Sequence, residues 1–307
     1  MQSLSYYLRH PRDLAIRILL KYGHWIPDEQ YLRIKFWLTM GKRLHLKNPK
    51  TFSEKLQWLK LYDRRSEYTI MVDKVKVKEF VASILGEEYV IPTLGVWHDP
   101  DEIDFDKLPD KFVIKCNHNS GTGMYICRDK SKIDVESVKE GLRKGLREDY
   151  YITNREWPYK NVPRRIIAEK YIDPSPNVKD LPDYKWYCFN GEPRYCQVIQ
   201  DRSGQETIDF FDTKWERQSF IGLNPKAKHS DKNVEKPLNL DTHLQIARTL
   251  SKGMAFSRID LYETGEKTYF GEITFYPMSG MGGFAPHKYD NILGEMISLP
   301  GFKAKIQ

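Results

Sequence analysis

The chain has 307 residues, 40% of them hydrophobic and 30% charged, with a formal charge of +7. That balance excludes a disordered chain, and no apolar run of about 18 residues is present to span a membrane. The length suits two or three small domains with shared cores.

The N-terminus places arginines inside its apolar stretch and lacks the order of a signal peptide. Residues 3–22 and 28–44 read as amphipathic helices; Leu14, Ile18 and Leu19 fall near one face and Gly23 closes the first segment. In "NPKTFSEKLQWLKLYDRR", Thr51 or Ser53 can cap a helix whose stripe is Phe52, Leu56, Leu59 and Leu61. "MVDKVKVKEFVASILG" reads as a further helix ended by Gly86. This front end is basic: residues 1–80 hold 17 Lys and Arg against 8 Asp and Glu. An anionic partner is therefore one reading and a solvated basic face the other. No nucleic-acid-binding module signature occurs, so nucleic acid is not the expected partner.

From residue 88 the period changes. "EYVIPTLGVW" is a strand broken by Pro92, and "KFVIK" and "GMYIC" flank a glycine loop as a hairpin. "VESVKEGLRKGLRE" is an exposed helix, and "PRRIIAEKYI" a strand running into the Pro-rich "DPSPNVKDLPD". "YKWYCFNGEPRYCQVIQ" is a hairpin about "FNGEP", with the β-rich "TIDFFDTKWERQSF" after it. "LDTHLQIARTLSKGM" is a helix, and "FSRIDLYETGEKTYFGEITFYP" a hairpin about "ETGEK". Hairpins with interposed helices give an α+β class rather than a regular βαβ repeat. The four cysteines form no C-x-x-C pair and, with no export signal, read as reduced cytoplasmic thiols.

Three constellations carry chemistry. In the last hairpin Asp260 and Glu272 land on paired strands, with Arg258 and Thr274 on the same faces. Such a pair suits Mg²⁺ with water and phosphate, or else forms a cross-strand salt bridge satisfied by Arg258. The loop Ser120, Gly121, Thr122, Gly123 can fold its backbone N–H groups over a polyphosphate, with Lys115 adding charge; otherwise it is an ordinary glycine hairpin. At Glu169, Lys170, Tyr171 and Ile172 a strand end exposes main-chain groups that can read an adenine edge, or simply ends.

In this order the three elements resemble the ATP-grasp superfamily. "NPKTFSEKLQWLKLYDR", "VDKVKVKEFV", "LPDKFVIKCNH", "IIAEKYI", "YKWYCFNGEP" and "RIDLYETGEKTYFGEITFYPMSG" resemble more closely its TupA-like family of bacterial polysaccharide clusters, whose members are often labelled glycosyltransferases. The resemblance implies an ATP-grasp fold of two α+β lobes clamping ATP, here 87–172 and 173–307, preceded by the basic helical region 1–86. It implies Lys74, Lys115, Lys185 and Lys214 on the phosphates, the last two by looser alignment. It further implies Ser120 to Gly123 as the covering loop, Glu169 to Ile172 as the adenine hinge and Asp183 on the ribose. Arg258 would stand by the reacting acyl group, and Asp260 and Glu272 would hold Mg²⁺. Thr274 replaces the usual Asn, a weaker ligand that puts two-metal coordination in doubt; His118 either meets substrate or bonds locally.

The implied reaction joins a small-molecule or glycan carboxylate, an amino acid or uronic acid, to an amine through an acyl phosphate. The rivals are a glycosyltransferase with a nucleotide-sugar donor, a phosphotransferase on the same clamp, and a scaffold whose clamp has decayed. The Gly- and Met-rich segment 277–290 is expected to line the acceptor pocket, with His287 and Lys288 able to meet an acid. Trp25, Trp37, Tyr6 and Tyr7 offer interfacial aromatics for peripheral contact with an anionic inner membrane face, or else form the core of the helical region.

Overall fold

Pro11 cannot continue a helix from the preceding turn, so the first expected helix divides into α1 (Leu4–Arg9) and α2 (Pro11–Tyr22). The computed structural model describes residues 4–174, 181–200, 206–224, 226–265 and 267–302. The middle of the Pro-rich segment (175–180) and one turn residue of the last hairpin (266) lie outside them. α3 (Asp28–Met40) stops at Gly41, whose φ of 70° takes the left-handed turn, four residues short of the expected end. α4 (Phe52–Tyr62) starts at a capping box between Thr51 and Glu54.

The helix expected from Met71 to Gly86 is two. α5 (Ser66–Val72) ends and α6 (Lys76–Leu85) begins about Asp73, whose carboxylate accepts from the backbone N–H of Val75 at 2.9 Å. Lys74 is thereby set in a turn rather than on a helix face.

Six segments follow: β1 (Thr93–Trp97), β2 (Phe112–Cys116), β3 (Met124–Cys127), α7 (Val135–Arg147), α8 (Tyr150–Asn154) and β4 (Ile166–Lys170). The four strands form an antiparallel sheet in the order β1-β4-β2-β3. In β2 the alternate residues Phe112, Ile114 and Cys116 are buried against Val138 and Leu142 of α7. Strand alternation therefore turns Lys115 to the other face.

The remaining strands are β5 (Asp183–Phe189), β6 (Glu192–Gln200), β7 (Thr207–Asp212), β8 (Ile221–Leu223), β9 (Phe256–Thr264), β10 (Lys267–Thr274) and β11 (Gly283–Ala285). Five make an antiparallel sheet in the order β10-β9-β5-β6-β7, and β8 pairs with β11. Trp186, Ile259 and Leu261 bury one face of the larger sheet in a common core with Ile246, Ala247 and Leu250 of α9 (Leu240–Ser251). α10 (Lys288–Glu295) locks α4 to this unit: Asp290 accepts from both the N–H and the hydroxyl of Ser53 at 2.9 Å. Phe52, Leu56 and Leu59 of α4 belong to the same core.

Candidate functional site

The last hairpin fixes one wall. Phe270 stands opposite Leu261, but past Gly271 the register gains one residue, so Glu272 faces Asp260 and Thr274 faces Arg258. Without this bulge Glu272 would oppose Ile259 and turn toward the α9 core. Gly271 permits it, because a Cβ there would meet the Tyr262 ring at 2.9 Å and the Asp260 carbonyl oxygen at 3.0 Å.

The facing side chains form one network. Arg258 donates to both oxygens of Asp260 (2.6 and 2.7 Å), to Glu272 Oε1 at 3.0 Å and to the Thr274 hydroxyl at 3.1 Å. Lys185 of β5 lies opposite Asp260, 2.5 Å from its Oδ2 and 2.6 Å from Asp183 Oδ2. Burial pulls Lys185 down, but Asp260 and Asp183 outweigh it and hold it above its ordinary value. Asp260 is 1% exposed, whereas the Glu272 side chain keeps 45% of its surface open. Partial desolvation of Glu272 is outweighed by Arg258, Lys185 and Lys74, which hold its carboxyl at about 2. Arg258 thus bridges both carboxylates, the geometry of the salt-bridge reading.

The opposing wall belongs to the smaller sheet. Lys115 on β2 pairs with Glu169 on β4, and Lys78 on α6 binds the other oxygen of Glu169 at 2.7 Å. Lys74, in its turn, donates to the Asn119 carbonyl at 2.5 Å. Burial lowers the Lys74 ammonium; Glu272 and Glu169 oppose that and Lys115 adds to it, so the four groups share one field. All line one cleft between the two sheets, together with Lys78, Gly271 and the apolar Met71, Val77, Ile91 and Phe270. The cavity left open is about 20 Å³, room for about one water, with the Lys78–Glu169–Lys115 bridge at its wall.

Not every predicted residue meets here. The glycine loop is tied down at its base: Asn117, His118 and Asn119 are buried, and only Ser120 and Gly121 are exposed. Asn117 binds Asp73, the Pro163 carbonyl and the Arg165 N–H, while Gly123, with φ 69°, closes onto Gly145 of α7 beside Thr122. His118 bonds the Glu148 carbonyl at 3.1 Å, the local alternative. Lys170, Tyr171 and Ile172 follow Glu169 beyond the cleft lining; Lys170 N–H bonds the Pro92 carbonyl, and the Tyr171 hydroxyl accepts from Arg128. Lys214 is exposed on the turn after β7, the sheet edge opposite β10. His287 and Lys288 are exposed at the start of α10.

Lys78 escaped the sequence reading, although its place one helical turn after Lys74 in "KVKVK" was the available signal. So did the support of segment 277–280. Ser279, at φ 55°, is held by Lys60, which donates to its carbonyl at 2.8 Å and its hydroxyl at 2.7 Å. Lys60 is fully buried, and burial, only partly offset by Glu156, lowers its ammonium to about 7.

A family model described as TupA-like ATPgrasp matches residues 54–298. No curated protein matches the chain. Among solved structures it is similar to the D-alanine–D-alanine ligase from Bacillus anthracis complexed with ATP, at 17% identity and a TM-score of 0.39, covering 67% of this chain and 54% of that one. The Helicobacter pylori D-alanine–D-alanine ligase gives 14% and 0.40, covering 82% and 70%. The ATP-grasp ligase PsnB, complexed with minimal precursor, Mg and ADP, gives 11% and 0.37, covering 73% and 57%. The chain thus spans about half the length of the first of these structures.

Proposed function

The chain belongs to the TupA-like ATP-grasp family, and from that premise we propose that it is an ATP-dependent, ADP-forming carboxylate–amine ligase. The observation that carries this reading is the convergence of Lys74, Lys78 and Lys115 with Glu169 and Glu272 on one cleft between two sheets. Three ammonium groups against two carboxylates favour a polyanion, and the apolar lining offers surface to a base. On this reading a triphosphate enters as Lys115 turns from Glu169 to phosphate oxygens, while Lys78 stays on Glu169 and keeps its charge paired.

The donor set also bears on a metal. Asp260 has its oxygens taken by Arg258 and Lys185, and among the described residues no group of three or more His, Cys, Asp or Glu surrounds a metal position. Of the two hairpin carboxylates, Glu272 is the exposed one, its Oε1 held by Arg258 and Thr274, which fits Mg²⁺ held by one protein oxygen plus phosphates and waters. Bound there, Mg²⁺ would neutralise charge on the β- and γ-phosphates. Asp260 acts instead as the anchor of Arg258, and Thr274 holds Glu272 through its hydroxyl at 3.0 Å.

In the reaction, Lys74 and Lys115 spread the charge that develops as the substrate carboxylate oxygen attacks the γ-phosphorus and ADP leaves. Arg258 orients the acyl oxygen of the resulting acyl phosphate. An amine then attacks the carbonyl carbon, and phosphate leaves with formation of the amide. The substrate is proposed to be an amino acid or uronic acid used in surface-polysaccharide decoration. A coupled ADP-release assay over such acids and amines tests the reading. ADP release that requires both substrates supports it; ATP binding with no ADP release from any pair overturns the ligase assignment.

A further inference from the structure

The first helices present an outer face that the cleft chemistry does not use. α2 turns Ala15, Ile16 and Leu19 inward, where they pack with Ile26, Tyr31 and Leu38. Its outer face is not the polar surface that this inward packing would predict. Leu14, Ile18, Tyr22 and Trp25 recur there at helical spacing, and Ile18, Tyr22 and Trp25 are 50%, 56% and 75% exposed. Arg17 and Lys21, both exposed, flank this stripe along one side, Arg17 also donating to the Tyr7 hydroxyl at 2.7 Å. The sole acidic residue of α2, Asp13, accepts a hydrogen bond from the Tyr6 hydroxyl. Trp25 therefore does not belong to the core of the helical region, and Trp37 on α3 is 51% exposed as well.

We propose that this face docks on an anionic lipid bilayer, with the aromatic and aliphatic side chains at the acyl boundary and Arg17 and Lys21 on the headgroups. An interfacial helix combines this kind of apolar stripe with basic residues. The partner's sign follows from charge: among residues 9–25 four are Lys or Arg and one is Asp. A second copy of the chain fits less well, since a two-fold contact would bring together two surfaces that both carry this positive charge. Among the described residues no helix is long and apolar enough to cross a membrane, so the contact is peripheral.

The test is flotation of the full chain with phosphatidylcholine vesicles that contain or lack phosphatidylglycerol. The chain is expected to float only with the anionic vesicles and to be released by about 0.5 M NaCl, where screening is strong. I18E/W25E is expected to abolish flotation, and R17Q, which removes one positive charge, to weaken partition by about fivefold. Ile18 and Trp25 are at least half exposed, so I18E/W25E is expected to keep the native thermal midpoint, which separates lost binding from lost folding. Absence of flotation by the native chain, equal flotation of I18E/W25E, or sedimentation showing a dimer that I18E/W25E dissociates would each overturn the proposal.

Discussion

Replacing Lys115 by Met keeps the bulk of the side chain and removes one of the three cleft cations. Glu169 is 8% exposed but retains Lys78 at 2.7 Å, so its charge is not orphaned. The apoprotein should lose about 1–2 kcal/mol, the low end of one charge-assisted hydrogen bond because Lys78 still pairs Glu169, rather than the 3–5 kcal/mol of an uncompensated buried ion. Nucleotide binding should suffer more. A hydrogen bond to a charged phosphate contributes about 1.5–3 kcal/mol, so affinity should fall about 10- to 150-fold. At ATP about 100 times the native Kd, the native protein gains about 2.7 kcal/mol of stability, whereas K115M gains about 0.3–1.4 kcal/mol at the same concentration. Urea denaturation with and without Mg-ATP measures both quantities. If K115M keeps the full ATP-dependent gain, Lys115 does not contact phosphate and the cleft assignment fails.

Gly271→Val should force the β-bulge to relax against the Asp260 carbonyl and the Tyr262 ring. A loss of about 1–3 kcal/mol by denaturation, with ADP release falling further than this explains, is expected; native-like stability and activity would show the bulge to be dispensable. Glu272 ionises at about 2 against an ordinary 4.5, so its stabilising contribution is present above about 4.5 and lost as pH falls toward 2. E272Q should flatten that part of the stability curve, and an unchanged acid limb would contradict the assignment. Lys60 gives a slope of the same sign at higher pH. Between its folded value of about 7 and the ordinary 10.5 the unfolded chain holds the proton, so stability rises with pH there. K60M should remove that rise and cost about 2–4 kcal/mol by leaving the Asn154 and Ser279 carbonyls without their donor and the buried Glu156 without its neighbouring cation.

That Asp260 and Glu272 lie on the two paired strands of one hairpin was legible from the turn "ETGEK". The exact register was not, since it depends on a bulge at Gly271 that a lone glycine does not announce. Lys115 was readable as a strand-end lysine after an apolar alternation. Its partner Glu169 lies 54 positions away across a sheet whose strand order follows no local pattern. The same distance hides the anchoring of the glycine loop, where Asn117 finds Asp73, Pro163 and Arg165. Asp73 also explains why one expected helix became two, for an aspartate can cap a new helix as readily as it can sit in a first turn. Lys214 illustrates the reverse. Its sequence neighbourhood fits a phosphate contact, but sheet order sets it on the edge farthest from β10.

The most direct test of the central claim is a crystal structure of the protein with Mg²⁺ and a non-hydrolysable ATP analogue. Triphosphate density is expected between the two sheets, within hydrogen-bond reach of Lys74 and Lys115, with the metal on Glu272 and the Lys115–Glu169 pair opened. A nucleotide bound elsewhere, with that pair intact and the cleft still closed, would contradict it.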